Sequence, residues 1–234
     1  MRKFLLFFIA CFICSAATAQ YNFYRLSIGA GAGVSKAFGD LEKNYIRPTG
    51  LVSFDYNLTP FSSLSAEIQK GMLSGGDSVN TSIDLHKRFF KNSYTSLVLS
   101  GKVQLGEFVE FERSNPVYAL RGFYIGTGVG VINSKMAEIS RSKLREDGSR
   151  YVFPGDDRGM ELMVPVNTGI SFNFVDKWGF TKFVLQFNYQ MNMVFGESLD
   201  GYNDPPTIFK NNHKDFYSFT SIRFRYSFGP EGLY

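Results

Sequence analysis

Four ionisable residues, Asp55, Glu67, Lys102 and Arg223, stand in runs where apolar and polar residues alternate. Each falls on the polar side of its run. If the apolar sides face outward, the four point inward at similar heights. Two kinds of chemistry are then open to them: an internal ion network, with Glu67 and Lys102 as the cross-strand pair, or a gated path for protons or ions. Pairing leads, because one uncompensated buried charge costs about 3–5 kcal/mol.

Other chemistry finds less support. The chain has two histidines, His86 and His213, and both fall in long polar connections. His213 lies two residues from Asp215 and His86 follows Asp84, but serines are plentiful and such proximity singles out no nucleophile. We therefore expect no enzyme, with a lipid-modifying barrel enzyme using His213 as the alternative. No metal is expected, since two histidines and scattered aspartates lack ligand spacing. Asp200-Gly-Tyr-Asn-Asp204 has oxygen donors but not the order of a calcium loop. No cofactor is expected either. Gly29, Gly31 and Gly33 suggest a dinucleotide loop, but Lys36 stands where the third glycine is needed, and Gly101-Lys102 is followed by Val103 rather than a hydroxyl residue. These glycines, with Gly126, Gly128 and Gly130, are better read as space for bulky inward neighbours.

The elements that must carry these residues are strands. Period-two alternation dominates the sequence. The cleanest run sets Phe183, Leu185, Phe187, Tyr189, Met191 and Met193 against Gln186, Asn188, Gln190 and Asn192. Another sets Ile222, Phe224, Tyr226 and Phe228 against Ser221, Arg223, Arg225 and Ser227. The first sets Tyr24, Leu26, Ile28, Ala30, Ala32 and Val34 against Arg25, Ser27, Gly29, Gly31, Gly33 and Ser35. Eight such segments of about 9–11 residues suit strands that cross a bilayer at a tilt. Their connections alternate between tight turns (59–62 and 175–179, with a moderate link at 106–117) and long polar loops at 36–46, 72–93, 133–160 and 194–214. Aromatics such as Tyr24, Tyr56, Phe61, Phe172, Trp178 and Phe228 gather at strand ends, as in an interfacial girdle. A soluble β-sandwich also alternates, but its wet face carries Lys and Glu, whereas here Gly, Ser, Asn and Gln dominate. The expectation is an all-β, closed, antiparallel, eight-stranded up-and-down transmembrane β-barrel. An even strand number places both ends on the periplasmic side and the four long loops outside.

The N-terminus reads as a secretory signal. Arg2 and Lys3 precede an apolar run from Phe4 to Ile13, and Ala17-Thr18-Ala19 is a small-x-small cleavage site. Residues 1–19 are thus expected to be a cleaved signal peptide and residues 20–234 the barrel. Both cysteines, Cys11 and Cys14, lie in the leader, so disulfide and thiol chemistry leave with it. The formal charge of +4 drops to about +2 without Arg2 and Lys3, too little to suggest nucleic acid.

The stretches Ile28-Gly-Ala-Gly-Ala-Gly33, Gly122-Phe-Tyr-Ile-Gly-Thr-Gly-Val-Gly130, Val164-Pro-Val-Asn-Thr-Gly-Ile170 and the terminal Ile222-Arg-Phe-Arg-Tyr-Ser-Phe228, with the Ala19-Gln20 junction, resemble the outer-membrane β-barrel domain proteins common in Bacteroidota. More loosely they resemble the eight-stranded barrel of outer membrane protein A. The resemblance spans nearly the whole mature chain and implies fold and a cell outer membrane location, not an activity. Such barrels often end on the last aromatic of the final strand, which the insertion machinery reads. Here six residues follow Phe228, so either Phe228 is the signal with a short tail or Tyr234 is and the final strand is irregular; Gly229-Pro230 favours the first, since proline cannot donate to a ladder.

An eight-stranded lumen is filled by side chains, so function should sit in the loops. Residues 135–150 are net basic, with Lys135, Arg141, Lys143, Arg145 and Arg150 against Glu138, Glu146 and Asp147. Arg141, Lys143, Arg145 and His213 are the loop candidates. They could contact lipopolysaccharide or form an ordinary solvated loop. The expected role is structural or interaction-type, with outer-membrane lipid and lipopolysaccharide as partners. The alternative is an accessory subunit of an uptake or secretion complex, docking a protein partner where outward Ala30 and Ala32 permit close approach.

Overall fold

The structure, a computed structural model, describes residues 23–38, 44–76, 89–109, 116–144, 150–152, 154–196, 199–202 and 215–232. Eight strands form a ring: β1 (Phe23–Phe38), β2 (Arg47–Asn57), β3 (Ser62–Gly76), β4 (Phe89–Gln104), β5 (Phe123–Ser140), β6 (Arg158–Val175), β7 (Thr181–Val194) and β8 (Phe216–Gly232). Each pairs antiparallel with its neighbours in sequence, and β8 closes on β1 from Phe23↔Gly232 to Phe38↔Phe216. Closure leaves none of the eight ring strands at an edge, so the ring presents no unpaired row of backbone donors and acceptors. No helix among the described residues is long and apolar enough to cross a membrane.

The alternation sorts side chains cleanly. On β7, Val184, Gln186, Asn188, Gln190 and Asn192 are buried in the lumen, while Phe183, Phe187 and Tyr189 are exposed outside. From Phe183 to Met193 the outward face stays apolar or aromatic. At about 3.4 Å per residue and a tilt of about 40°, that run spans roughly 25 Å of height, which matches the apolar band of a membrane barrel. Large apolar residues are exposed on every strand, among them Ile28, Phe54, Ile68, Leu99, Ile125, Leu162, Phe187 and Phe224.

The strands run 11 to 18 residues, and all but β2 exceed the 9–11 expected. The ladder continues past the apolar belt towards the long connections, where β5 and β6 still pair at Lys135↔Arg158. Asn44–Tyr45 likewise extends β2 beyond Ile46 by pairing with Ser74 and Gly75 of β3. A small hairpin, Ser142–Leu144 with Arg150–Val152, stands in the β5–β6 connection.

Two expectations at the short-turn end need correction. Strand β8 does not stop at Phe228. It runs to Gly232, with Glu231 opposite Tyr24. Between those pairs Gly229 and Pro230 oppose the single residue Arg25, which makes a β-bulge. Gly229 takes φ +88°, a conformation glycine tolerates, and Pro230 sits in the bulge, where no ladder donor is required. The same bulge turns Arg25 away from the polar face it was assigned to. Arg25 is exposed and donates to the Tyr56 hydroxyl at 3.2 Å.

Candidate functional site

The lumen has two layers. Towards the short turns it is polar and charged. Towards the long connections it is apolar, built from Leu73, Phe90, Tyr94, Val98, Ile132, Met163, Val194 and Tyr217, with Leu199 and Tyr202 dipping in from the β7–β8 connection.

The charged layer brings Asp55, Glu67, Lys102 and Arg223 together, and all four are essentially buried. Lys102 Nζ donates to Glu67 Oε1 at 2.7 Å, although the ladder places Ser63, not Glu67, opposite Lys102. The pair is diagonal, spanned by the long lysine stem. Arg223 Nη2 donates to the same Oε1 at 2.5 Å, and Arg223 Nη1 lies 3.9 Å from Asp55 Oδ1. A fifth member was not singled out from sequence: Arg225 Nη1 is 3.5 Å from Asp55 Oδ1. Its place on the inward face was visible in Arg223-Phe224-Arg225, but its partner was not. Three cations thus meet two carboxylates. Further donors complete the acids. Ser53 donates to Asp55 Oδ2 at 3.0 Å, and Gln69 Nε2 donates to Glu67 Oε2 at 3.3 Å.

Glycines make the cluster possible. The arginines stand on β8 and their acids on β2 and β3, so the guanidinium stems must cross β1. There the inward residues are Gly29, opposite Arg225, and Gly31, opposite Arg223. A Cβ on Gly29 would lie 2.9 Å from Arg225 Cγ, and one on Gly31 would lie 2.5 Å from the Ile222 carbonyl oxygen. On the other side Gly126 faces Lys102, and a Cβ there would sit 2.9 Å from Lys102 Cγ. The glycine alternation that resembled a nucleotide loop is therefore a floor for charged stems.

At the other end, the turn 199–202 is fastened over the apolar layer. Asn92 Nδ2 donates to Leu199 O at 2.8 Å. The Tyr202 hydroxyl donates to Ser140 O at 2.7 Å and accepts from Phe89 N at 3.2 Å. Arg141, one of the loop candidates, donates to Gly201 O through Nη2 at 3.0 Å and pairs with Asp157 at 2.7 Å. Lys143 lies in the small hairpin, with its side chain outside the described residues, as Arg145 and His213 are altogether. Lys135 and Arg158 stand directly opposite each other, both outward and exposed. Among the described residues no group of three or more His, Cys, Asp or Glu is placed to hold a metal ion.

On the outer wall, small residues Ala66, Gly101 and Thr127 leave an apolar groove of about 540 Å³ beside Phe54, Leu64 and Leu99. Ala30 and Ala32, named from sequence as a close-approach surface, are exposed on β1 but do not line it.

No family model matches the chain, and no curated protein sequence matches it. Solved structures do. Neisserial surface protein A is 14% identical over 87% of this chain and 97% of its own, with a TM-score of 0.46. Ail, the attachment invasion locus protein of Yersinia pestis, is 14% identical in a complex with the heparin analogue sucrose octasulfate, covering 86% of this chain and 97% of its own at a TM-score of 0.41. The N-terminal β-barrel domain of Pseudomonas aeruginosa OprF is 10% identical, covering 87% of this chain and 98% of its own at a TM-score of 0.37.

Proposed function

We propose that the protein is an integral β-barrel of a bacterial outer membrane, of the kind found in Bacteroidota. Its role is structural or interaction-type, and it binds through its long connections rather than conducting through its lumen. One observation carries this reading: every strand turns large apolar side chains outward, while among the described residues the lumen's charged layer alone holds five ionisable side chains beside many amides. Soluble monomers rarely expose contiguous apolar patches beyond a few hundred Å², so hydrocarbon is the medium that suits this exterior. The paired charges and the apolar layer above them fill the lumen, which suits a closed scaffold. Residues 1–19 act in this reading as the export signal. Phe23 and Gly232 pair at the short-turn end, so both chain ends face the periplasm and the long connections face outward. The exposed Lys135 and Arg158 lie just above the belt, where anionic lipopolysaccharide would offset two like charges set opposite each other.

Purification in detergent followed by gel mobility with and without boiling tests the proposal. A closed barrel migrates as a compact band that shifts on heating, and mobility unaltered by boiling would count against it. The groove at Ala66, Gly101 and Thr127 favours a second reading, an accessory subunit docking a transmembrane partner there. A native pull-down with wild type and with Gly101→Leu checks it, since only the wild type should retain the partner.

A further inference from the structure

The charged layer does not balance within itself. Glu67 Oε1 serves both Lys102 and Arg223, and Asp55 Oδ1 is shared between Arg223 at 3.9 Å and Arg225 at 3.5 Å. Arg225 is 4% exposed, yet its Nε and Nη1 find no hydrogen-bond acceptor among the described residues. A buried guanidinium with two unmatched donors is unfavourable by the desolvation of each. Beside it, at the short-turn mouth, lies a cavity of about 20 Å³, room for one small species. Its walls include Asn57, Asn173, Thr181 and Ser227, and Arg225 is the charged member among the described lining residues.

We propose that this mouth is a binding site for a single small anion of the halide class, held against Arg225. Charge and size both select it. Three buried cations against two carboxylates leave a formal +1, which one monovalent anion cancels. The cavity admits one halide-sized species and is too small for a sulfate or a carboxylate metabolite. Asn57 already donates to Tyr24 O and Ser27 Oγ and Thr59 to Glu107, so the amide and hydroxyls its walls offer the anion are those of Asn173, Thr181 and Ser227. Two carboxylates oppose the anion and set a limit on its affinity. Asp55 meets Arg225 Nη1, and Glu107 accepts from Thr59 Oγ1, itself a lining residue. The site belongs to the lumen and stands whether or not the barrel lies in an outer membrane.

Chloride-35 NMR linewidth of the full chain, folded in detergent, reads the site directly. The expected result is saturable broadening over an unfolded control, reversed by competing bromide but not by sulfate. Arg225→Met should abolish the excess broadening, and Lys102→Met, which cancels the formal +1 but keeps Arg225 in place, should weaken it without abolishing it. If Arg225→Met does not fold, Asn173→Leu, which fills the cavity and spares the arginine, should abolish it instead. No saturable broadening in the wild type would overturn the proposal, since water would then occupy the cavity. Broadening that persists in Arg225→Met, or in Asn173→Leu, would overturn it equally.

Discussion

Replacing Glu67 with glutamine keeps the shape of the side chain and removes the charge at the centre of the lumen. Glu67 is 1% exposed, and its Oε1 takes hydrogen bonds from Lys102 at 2.7 Å and Arg223 at 2.5 Å. Hydrogen bonds to charged groups contribute about 1.5–3 kcal/mol each, so two give roughly 3–6 kcal/mol. Breaking a buried ion pair from one side costs about 3–5 kcal/mol, and the two figures agree. Lys102→Met should cost less, about 1.5–3 kcal/mol before relief, because Glu67 keeps Arg223 and one excess positive charge disappears. The double variant Glu67→Gln/Lys102→Met returns the layer to the wild-type formal charge, with two arginines against Asp55. Its cost should therefore fall short of the sum of the singles by about 1 kcal/mol or more. Urea unfolding of the barrel in lipid vesicles, read by midpoint and slope, gives all three values. A Glu67→Gln cost under about 1 kcal/mol, or strict additivity in the double variant, would refute the reasoning.

Four other outcomes follow from the same geometry. Gly31→Ala should destabilise by about 1–3 kcal/mol, since its Cβ meets backbone at Ile222 and Arg223, whereas Gly50→Ala, with its nearest atom 4.0 Å away, should stay within about 0.5 kcal/mol; equilibrium unfolding separates them. Phe224→Lys, on the exposed outer face of β8, should cost about 2–4 kcal/mol in vesicle refolding, and near-neutrality would argue against lipid at that height. Tyr202→Phe removes the hydroxyl that ties the turn to Phe89 and Ser140 and should speed amide exchange at Phe89 by about five- to tenfold, for one hydrogen bond of about 1–1.5 kcal/mol. Lys102→Met should leave single-channel conductance unchanged while lowering thermal stability; a new conductance state would show the pair gates a path.

The barrel was legible because a strand meeting hydrocarbon on one face must alternate, and a ring of such strands must close. Strand length was not legible, because above the apolar belt polar and apolar residues no longer alternate with period two, as in Ser134-Lys-Met-Ala-Glu-Ile-Ser140. The apolar layer of the lumen was missed for the opposite reason. Val98 between Leu97 and Leu99, and Phe219 two residues from Tyr217, read as breaks in alternation although they point inward. Of the charged layer, the inward placement of each member follows from parity. Which acid meets which cation does not, because Lys102 reaches diagonally and the arginines reach over two glycines on an intervening strand. Arg141 shows the limit most plainly: its acceptor, Gly201 O, is 60 residues away and leaves no local signal.

The central claim is that the greasy face of each strand meets lipid. No cysteine occurs after Cys14, so single-cysteine nitroxide labels can be placed one by one along β7 from Phe183 to Met193 in reconstituted vesicles. Collision with dissolved oxygen should rise at every odd position and fall at every even one, with the water-soluble nickel probe excluded from the odd positions throughout. Odd positions shielded from oxygen and locked in place, as inside a packed protein interior, would contradict the account.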